Sequence, residues 1–227
     1  MLNLSHVDAG YGAVQVLWDA NIDVERGEVV SVVGRNGVGK STLLRAIVGL
    51  ADIWKGEVRA GGLSIGGLPT HALAARGIGY VAQDREICPD LTVEENLSVP
   101  LFSVRKSLRH LEDVYARYPR LKERARQRAG SLSGGERKFL AFARILLLEP
   151  SIFLIDEPTE GLMPQAVAEI AKLIREIREG GAAVLLVEQN LGLVRELSDR
   201  VYLMNVGRIE KCVGEITNAD AAQYLGI

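Results

Sequence analysis

The chain has 227 residues, a formal net charge of -2 and 25% charged residues. This length suits one domain, with room for a smaller inserted subdomain, and the charge balance gives no global attraction to a polyanion. No stretch approaches the ~18 uncharged apolar residues needed to cross a bilayer, and residues 1–6 lack a basic start followed by an apolar run, so a cytoplasmic protein is expected unless something recruits it. Cys88 and Cys212 lie far apart and fit no paired metal or redox spacing; they are expected to be buried or half-buried free thiols.

In chain order, residues 2–7 and 16–24 read as antiparallel strands. Residues 28–33 form a short β-branched run that ends in a Gly-rich loop, as a buried strand of a parallel sheet would. A helix is predicted from Lys40 to about Val48, stopped by Gly49, and a short strand over 56–61. Ile78-Gly79-Tyr80-Val81 is a further strand. From about residue 92 to 148 helix formers dominate, which reads as an inserted helical subdomain. Two apolar runs, 152–155 and 183–187, flank a helical stretch over 165–179, and this strand–helix–strand order implies a doubly wound α/β core. Residues 200–205 and 208–213 read as a hairpin around Val206-Gly207. The expected organisation is a single domain in which 1–83 and 150–227 form the α/β core with a β subdomain, and 84–149 the helical part.

Three motifs carry the chemistry. Gly34-Arg35-Asn36-Gly37-Val38-Gly39-Lys40-Ser41 fits G-x-x-x-x-G-K-[ST] between a strand and a helix. Glycines there let backbone N–H groups converge on phosphate oxygens, and the helix N-terminus adds partial positive charge. Lys40 would reach the β- and γ-phosphates and Ser41 would ligate Mg²⁺. Asp156 follows four apolar residues, so its carboxylate emerges at the carboxyl end of a buried strand, where it suits a Mg²⁺ partner; the adjacent Glu157 can polarise an attacking water. Leu132-Ser133-Gly134-Gly135-Glu136 is the third motif, with Ser133 as the N-cap of a helix running to about Leu148 and open N–H groups that suit a second anion.

On these motifs the chain resembles the ATP-binding subunits of ABC transporters over essentially its whole length. The resemblance implies a P-loop NTPase (RecA-like) doubly wound core, with an N-terminal antiparallel β subdomain and an inserted helical subdomain. ATP and Mg²⁺ are the implied ligands. In that family the LSGGE segment closes over nucleotide held by the phosphate loop of a second subunit, so Ser133, Gly134 and Gly135 join residues 34–41 and Thr42 as nucleotide contacts across a head-to-tail dimer. Tyr11 is similar to the aromatic residue that stacks on adenine. Gln83 matches the glutamine that touches Mg²⁺ and the attacking water.

The fit has two departures. After Glu157 the loop reads Pro158-Thr159-Glu160-Gly161-Leu162-Met163-Pro164, without the family's usual aspartate, and the usual switch histidine aligns with Gln189, whose amide can bond a γ-phosphate but cannot become cationic. Within the family, Val187-Glu188-Gln189-Asn190 and Leu91-Thr92-Val93-Glu94-Glu95-Asn96-Leu97 resemble one of two unlike ATP-binding subunits of branched-chain amino acid importers. Related urea and amide importers are the alternative, toward which Gly79-Tyr80-Val81-Ala82-Gln83, Arg85-Glu86-Ile87 and Pro158-Thr159-Glu160-Gly161 lean. The resemblance implies a peripheral protein on the cytoplasmic face of a bacterial inner membrane. Its implied partners are a second ATP-binding subunit, two membrane-spanning permease subunits and, indirectly, a periplasmic solute-binding protein. A partner helix is expected to dock around residues 85–101. The basic residues Arg105, Lys106, Arg109, Arg117, Arg120, Lys122, Arg124, Arg126 and Arg128 raise a reading from another class, a soluble ABC-type ATPase acting on nucleic acid. With only Tyr115 and Tyr118 interleaved, a solvated helical face is favoured and no nucleic acid is expected. A small-molecule kinase on the same phosphate loop would not need residues 132–136.

Overall fold

The computed structural model describes residues 1–84, 87–104, 107 and 109–226. Arg85, Glu86, Arg105 and Lys106, parts of the expected docking segment and basic stretch, lie outside them. Alternating apolar residues build β1 (Leu2–Tyr11) and β2 (Val14–Val24), paired antiparallel with Leu4 opposite Ile22. After β3 (Val29–Val33) and α1 (Lys40–Ile47) come β4 (Asp52–Ala60) and β5 (Leu63–Ser64). These complete an antiparallel sheet in the order β2-β1-β4-β5. Strands β1 and β4 run further than the sequence patterns suggest, because pairing of Ala9 with Ile53 and Gly10 with Asp52 carries the ladder past an irregularity at Gly56 that resembles a strand start.

The chain continues through α2 (Thr70–Ala74) and β6 (Ile78–Val81) into a helical stretch of α3 (Val93–Ser103), α4 (His110–Arg117), α5 (Pro119–Glu123) and α6 (Gly134–Leu146). It then alternates through β7 (Ile152–Asp156), α7 (Pro164–Glu179), β8 (Ala183–Val187), α8 (Leu191–Leu197), β9 (Arg200–Asn205), β10 (Arg208–Val213) and α9 (Asn218–Tyr224). The second sheet has the order β10-β9-β3-β8-β7-β6, parallel throughout except for β10. Every residue of β3, β7 and β8 is buried, as continuous β-branched and aliphatic strands require when both faces of a parallel sheet are covered. One face packs with α1 and the antiparallel sheet around Leu43, Leu44 and Val32; the other packs with α6 and α7 around Phe142, Ile170 and Ile174.

The helical stretch has its own apolar cluster, in which Val93, Leu97 and Leu101 of α3 meet Leu140 and Ala143 of α6. Helix α6 therefore buries two stripes, Leu140 and Ala143 toward α3 and Ala141 and Phe142 toward the sheet. Fully buried Asn96 organises the turn ahead of α3, accepting from Cys88 N and donating to the carbonyls of Cys88 and Thr92. Helix α9, absent from the sequence reading, starts at a Thr217–Asp220 capping box.

Both thiols are exposed, contrary to expectation: Cys212 lies on the sheet's edge strand β10 and Cys88 on the loop before α3, where an apolar side chain meets no facing layer. Several cations of the basic stretch are neutralised in ion pairs, Arg117 with Glu176 at 2.5 Å, Lys122 with Glu112 at 3.1 Å and Arg124 with Glu136 at 2.9 Å. No helix among the described residues is long and apolar enough to cross a membrane. Because Phe142 is 0% exposed between α6 and the sheet, Phe142→Ala is expected to destabilise the fold by about 3–5 kcal/mol, read from the shift of the urea unfolding midpoint.

Candidate active site

Strand register decides which loops meet. Val32 of β3 and Asp156 of β7 both pair with Val187 of β8. The segments beginning at Gly34, Glu157 and Glu188 therefore leave the sheet together at its carboxyl edge, with Gln83 arriving from β6.

The loop over residues 34–41 is shaped by close approach. A Cβ on Gly34 would stand 2.4 Å from the carbonyl oxygen of Met204, and Gly39 holds φ at 110°, a left-handed conformation that side chains resist. Gly39 is also the N-cap of α1; it supplies no side-chain cap, and no acid sits in the first turn. The first N–H groups of α1 thus face the loop with the helix's partial positive charge behind them, which fits a phosphate-sized anion. Lys40, buried, donates to the Arg35 carbonyl at 3.1 Å and pairs with Glu157 Oε1 at 3.2 Å. Ser41 Oγ donates to Asp156 Oδ1 at 3.0 Å, and Tyr80 OH donates to Asp156 Oδ2 at 3.3 Å. Burial pushes the Asp156 carboxyl above its ordinary range, against the pull of the Ser41 and Tyr80 hydroxyls and the Arg45 guanidinium. A bound cation would relieve that desolvation.

Glu157 is the centre of the cluster. Its φ of 42° is a left-handed value in a non-glycine residue, maintained by an N–H bond to the Val187 carbonyl at 2.9 Å. Its Oε1 receives the Lys40 ammonium and the Gln189 amide at 2.7 Å, while Oε2 accepts from Gln83 at 3.2 Å. Gln189 also donates to Asn36 Oδ1 at 2.6 Å, and Gln83 to Glu160 Oε2 at 2.7 Å. Asn36, Gly37, Gly39, Lys40, Ser41, Thr42, Gln83 and Glu157 line one cavity of about 360 Å³. Gly34, Arg35 and Val38 support the loop without lining that cavity, and the Arg35 guanidinium lies beside Gly226. Tyr11, 39% exposed, reaches the rim through a long 3.5 Å contact from its hydroxyl to Thr42 Oγ1.

Among the described residues no group of three or more His, Cys, Asp or Glu is arranged to hold a metal by itself. Ser41 is hydrogen-bonded to Asp156 and shares a cavity with Gln83, and hydroxyl, carboxylate and amide oxygens are the hard donors that suit Mg²⁺ when phosphate oxygens and water complete its shell.

Ser133, Gly134 and Gly135 are elsewhere. Ser133 caps α6 in a reciprocal box with Glu136, which Arg124 steadies. These residues line a larger cavity, about 530 Å³, beside Gly161, Leu162 and Met163, with no residue shared with the cavity at Lys40. The smaller cavity holds the buried Lys40–Glu157 pair, and the larger is lined by Arg117, Arg120, Arg124, Glu136 and Glu169. Within one chain the two anion-suited helix ends do not meet.

Sequence reasoning overlooked Thr159, Glu160, Tyr80 and the role of Glu188. Glu188 is 3% exposed and accepts from Thr159, Gln189 and Asn190. A signal was present: an acid directly after five apolar residues must find donors if the strand end is buried.

The profile of the ABC transporter family matches residues 17–160. The chain is 40% identical over 211 residues to the high-affinity branched-chain amino acid transport ATP-binding protein BraG of Pseudomonas aeruginosa, covering 92% of this chain and 91% of that protein. It is 37% identical over 212 residues to a probable branched-chain amino acid transport ATP-binding protein LivF of Archaeoglobus fulgidus, covering 92% and 90% respectively. A dimeric ATP-binding cassette solved in a post-hydrolysis state with ADP and phosphate superposes with a TM-score of 0.84 at 27% identity, covering 96% of this chain and 100% of that one. The match spans the phosphate loop, Asp156, Glu157 and residues 132–136, and the chain therefore belongs to the ABC transporter family as an ATP-binding protein that hydrolyses ATP.

Proposed function

We propose that this chain is the ATP-hydrolysing subunit of an importer for branched-chain amino acids, working by closure of a head-to-tail dimer on ATP. The observation that carries the reading is the convergence of Lys40, Gln83 and Gln189 on Glu157 beside a phosphate-suited loop, with Ser133–Gly135 on a separate surface. The names of the BraG and LivF relatives support the solute class.

In this reading residues 34–42 hold the phosphates, Tyr11 stacks on adenine, and Ser133, Gly134 and Gly135 serve nucleotide held by a second subunit. Ser41, Gln83 and Asp156 would hold Mg²⁺, which would supply charge neutralisation for the phosphates. Water attacks the γ-phosphorus, the bond to the β,γ-bridging oxygen breaks, and ADP and phosphate leave. Glu157 accepts the water's proton, Gln83 orients that water, and Lys40 is drawn from Glu157 toward the phosphate charge. Gln189 bonds the γ-phosphate through its amide. Residues 84–149 form the helical subdomain that presents the second anion site, and the α/β remainder holds the first.

The partners are two membrane-spanning permease subunits, a periplasmic solute-binding protein acting through them, and a second ATP-binding subunit, with this chain peripheral on the cytoplasmic face of the inner membrane. Because Gln189 cannot become cationic, the second subunit is a different, histidine-bearing chain that dominates turnover, although a homodimer can form in isolation. A urea or short-chain amide importer is the second reading, favoured by Pro158-Thr159-Glu160-Gly161. Leucine against urea uptake by the assembled transporter separates the two. Action on nucleic acid is disfavoured by the acids paired with Arg117, Lys122 and Arg124.

Three outcomes are expected. Glu157→Gln lowers phosphate release by roughly 10²–10⁴-fold while ATP binding persists and ATP drives a dimer visible by size-exclusion chromatography; wild-type turnover would remove Glu157 from its role. Lys40→Ala, which loses one charge-assisted contact of about 1.5–3 kcal/mol, weakens ATP binding roughly 10- to 150-fold by equilibrium titration. The purified chain alone turns over more slowly than the complete transporter, and equal rates would contradict the unequal pair.

A further inference from the structure

The pairing of Asp156 with Val187 sends Glu157 and Glu188 out of adjacent strands side by side. Glu157 points into the Lys40 cluster. Glu188 does something else: its two carboxylate oxygens are divided between two loops. Oε1 accepts from the backbone N–H of Thr159 at 3.2 Å and from the Thr159 hydroxyl, two residues beyond Glu157. Oε2 accepts from the N–H groups of Gln189 at 2.6 Å and Asn190 at 2.9 Å. Glu188 is 3% and Thr159 6% exposed, so water does not compete freely for these bonds.

Each loop leads somewhere. Gln189 ends on Glu157 and Asn36 at the phosphate loop. The Thr159 loop leads through a Leu162 N–H bond to the Thr159 carbonyl into Leu162 and Met163, which line the cavity of Ser133–Gly135. Met163 is 75% exposed. One buried carboxylate thus joins the Gln189 turn, bonded to Asn36 of the phosphate loop, to the surface beside the other anion-suited helix end.

We propose that Glu188 is a positioning residue that, through Thr159, makes the Gln189 turn and the 158–163 loop a single unit, so that Glu157 and Gln189 keep their mutual geometry and nucleotide at the phosphate loop is registered at Leu162 and Met163. This rests on the reading that Glu157 and Gln189 act at the γ-phosphate. A carboxamide at 188 has one acceptor oxygen and turns its NH₂ on the N–H donors of one loop. Valine at 159 keeps the shape and loses the hydroxyl, whereas serine keeps it.

The test uses the full chain with MgATP. Thr159→Val and Glu188→Gln are expected to lower kcat for phosphate release by about 10- to 100-fold, a misplacement effect, with the Kd for ATP within about 2-fold and Thr159→Ser near wild type. The double variant should be no slower than Glu188→Gln alone, because both changes break one connection. Independently of turnover, ATP should slow amide exchange in residues 158–163 of the wild type, and leave that segment at its nucleotide-free rate in Thr159→Val while residues 34–41 are still protected. A Thr159→Val protein with wild-type kcat and wild-type protection of 158–163 overturns the proposal, as does loss of ATP binding in step with kcat, which marks a merely structural role. Glu157→Gln run in parallel keeps the two levels apart. If it hydrolyses ATP at the wild-type rate, the site reading fails; if it is inactive and Thr159→Val is normal, only the Glu188 connection fails.

Discussion

The Lys40–Glu157 ion pair, 3.2 Å long with side chains 3% and 6% exposed, is the interaction around which the rest of this structure is arranged. Taking two charges out of water costs several kcal/mol each, and mutual attraction compensates only when further hydrogen bonds satisfy what remains. Here Gln83 and Gln189 approach the carboxylate and the Arg35 carbonyl receives the ammonium. Four segments, remote in sequence, are held by this requirement. Strain is part of it: Glu157 reaches the pair from a left-handed backbone that the Val187 carbonyl fastens.

Such a cluster needs a rigid platform. The parallel strands β3, β7 and β8 are buried at every position, and their register leaves little freedom in where the following residues emerge. Apolar character therefore stops abruptly at the carboxyl edge. Ser41, Asp156 and Tyr80 meet there, and the desolvation that raises the Asp156 carboxyl is the kind of stored cost a divalent cation can offset.

Helix α6 gives the second half of the arrangement its direction. By burying one stripe on the sheet and another on α3, it fixes the helical stretch and aims the Ser133 end at a cavity separate from that of Lys40. The separation is a geometrical argument for a second chain in the proposed dimer. It also gives Glu188 its interest, since the loop it restrains runs from one cavity's catalytic candidate to the other cavity's wall.

Much was legible from the sequence because the signals were local. The phosphate loop declares itself by spacing, Ser133 is the N-cap of α6 as expected, and β8 and the β9–β10 hairpin span the expected residues. Other features were not local. Strands β1 and β4 are prolonged by each other across an irregularity at Gly56, and Cys212 is exposed because β10 is an edge. The residues Lys40, Gln83, Glu157 and Gln189 could be nominated singly, but their bonds to one another span up to 117 residues of chain, from Lys40 to Glu157. Sequence alone determined the family chemistry, since glycine freedom, capping and strand apolarity are properties of short segments. Only the tertiary structure decided that Glu188 divides its oxygens between two loops and that residues 132–136 stay apart from Lys40, because register and packing place distant segments side by side.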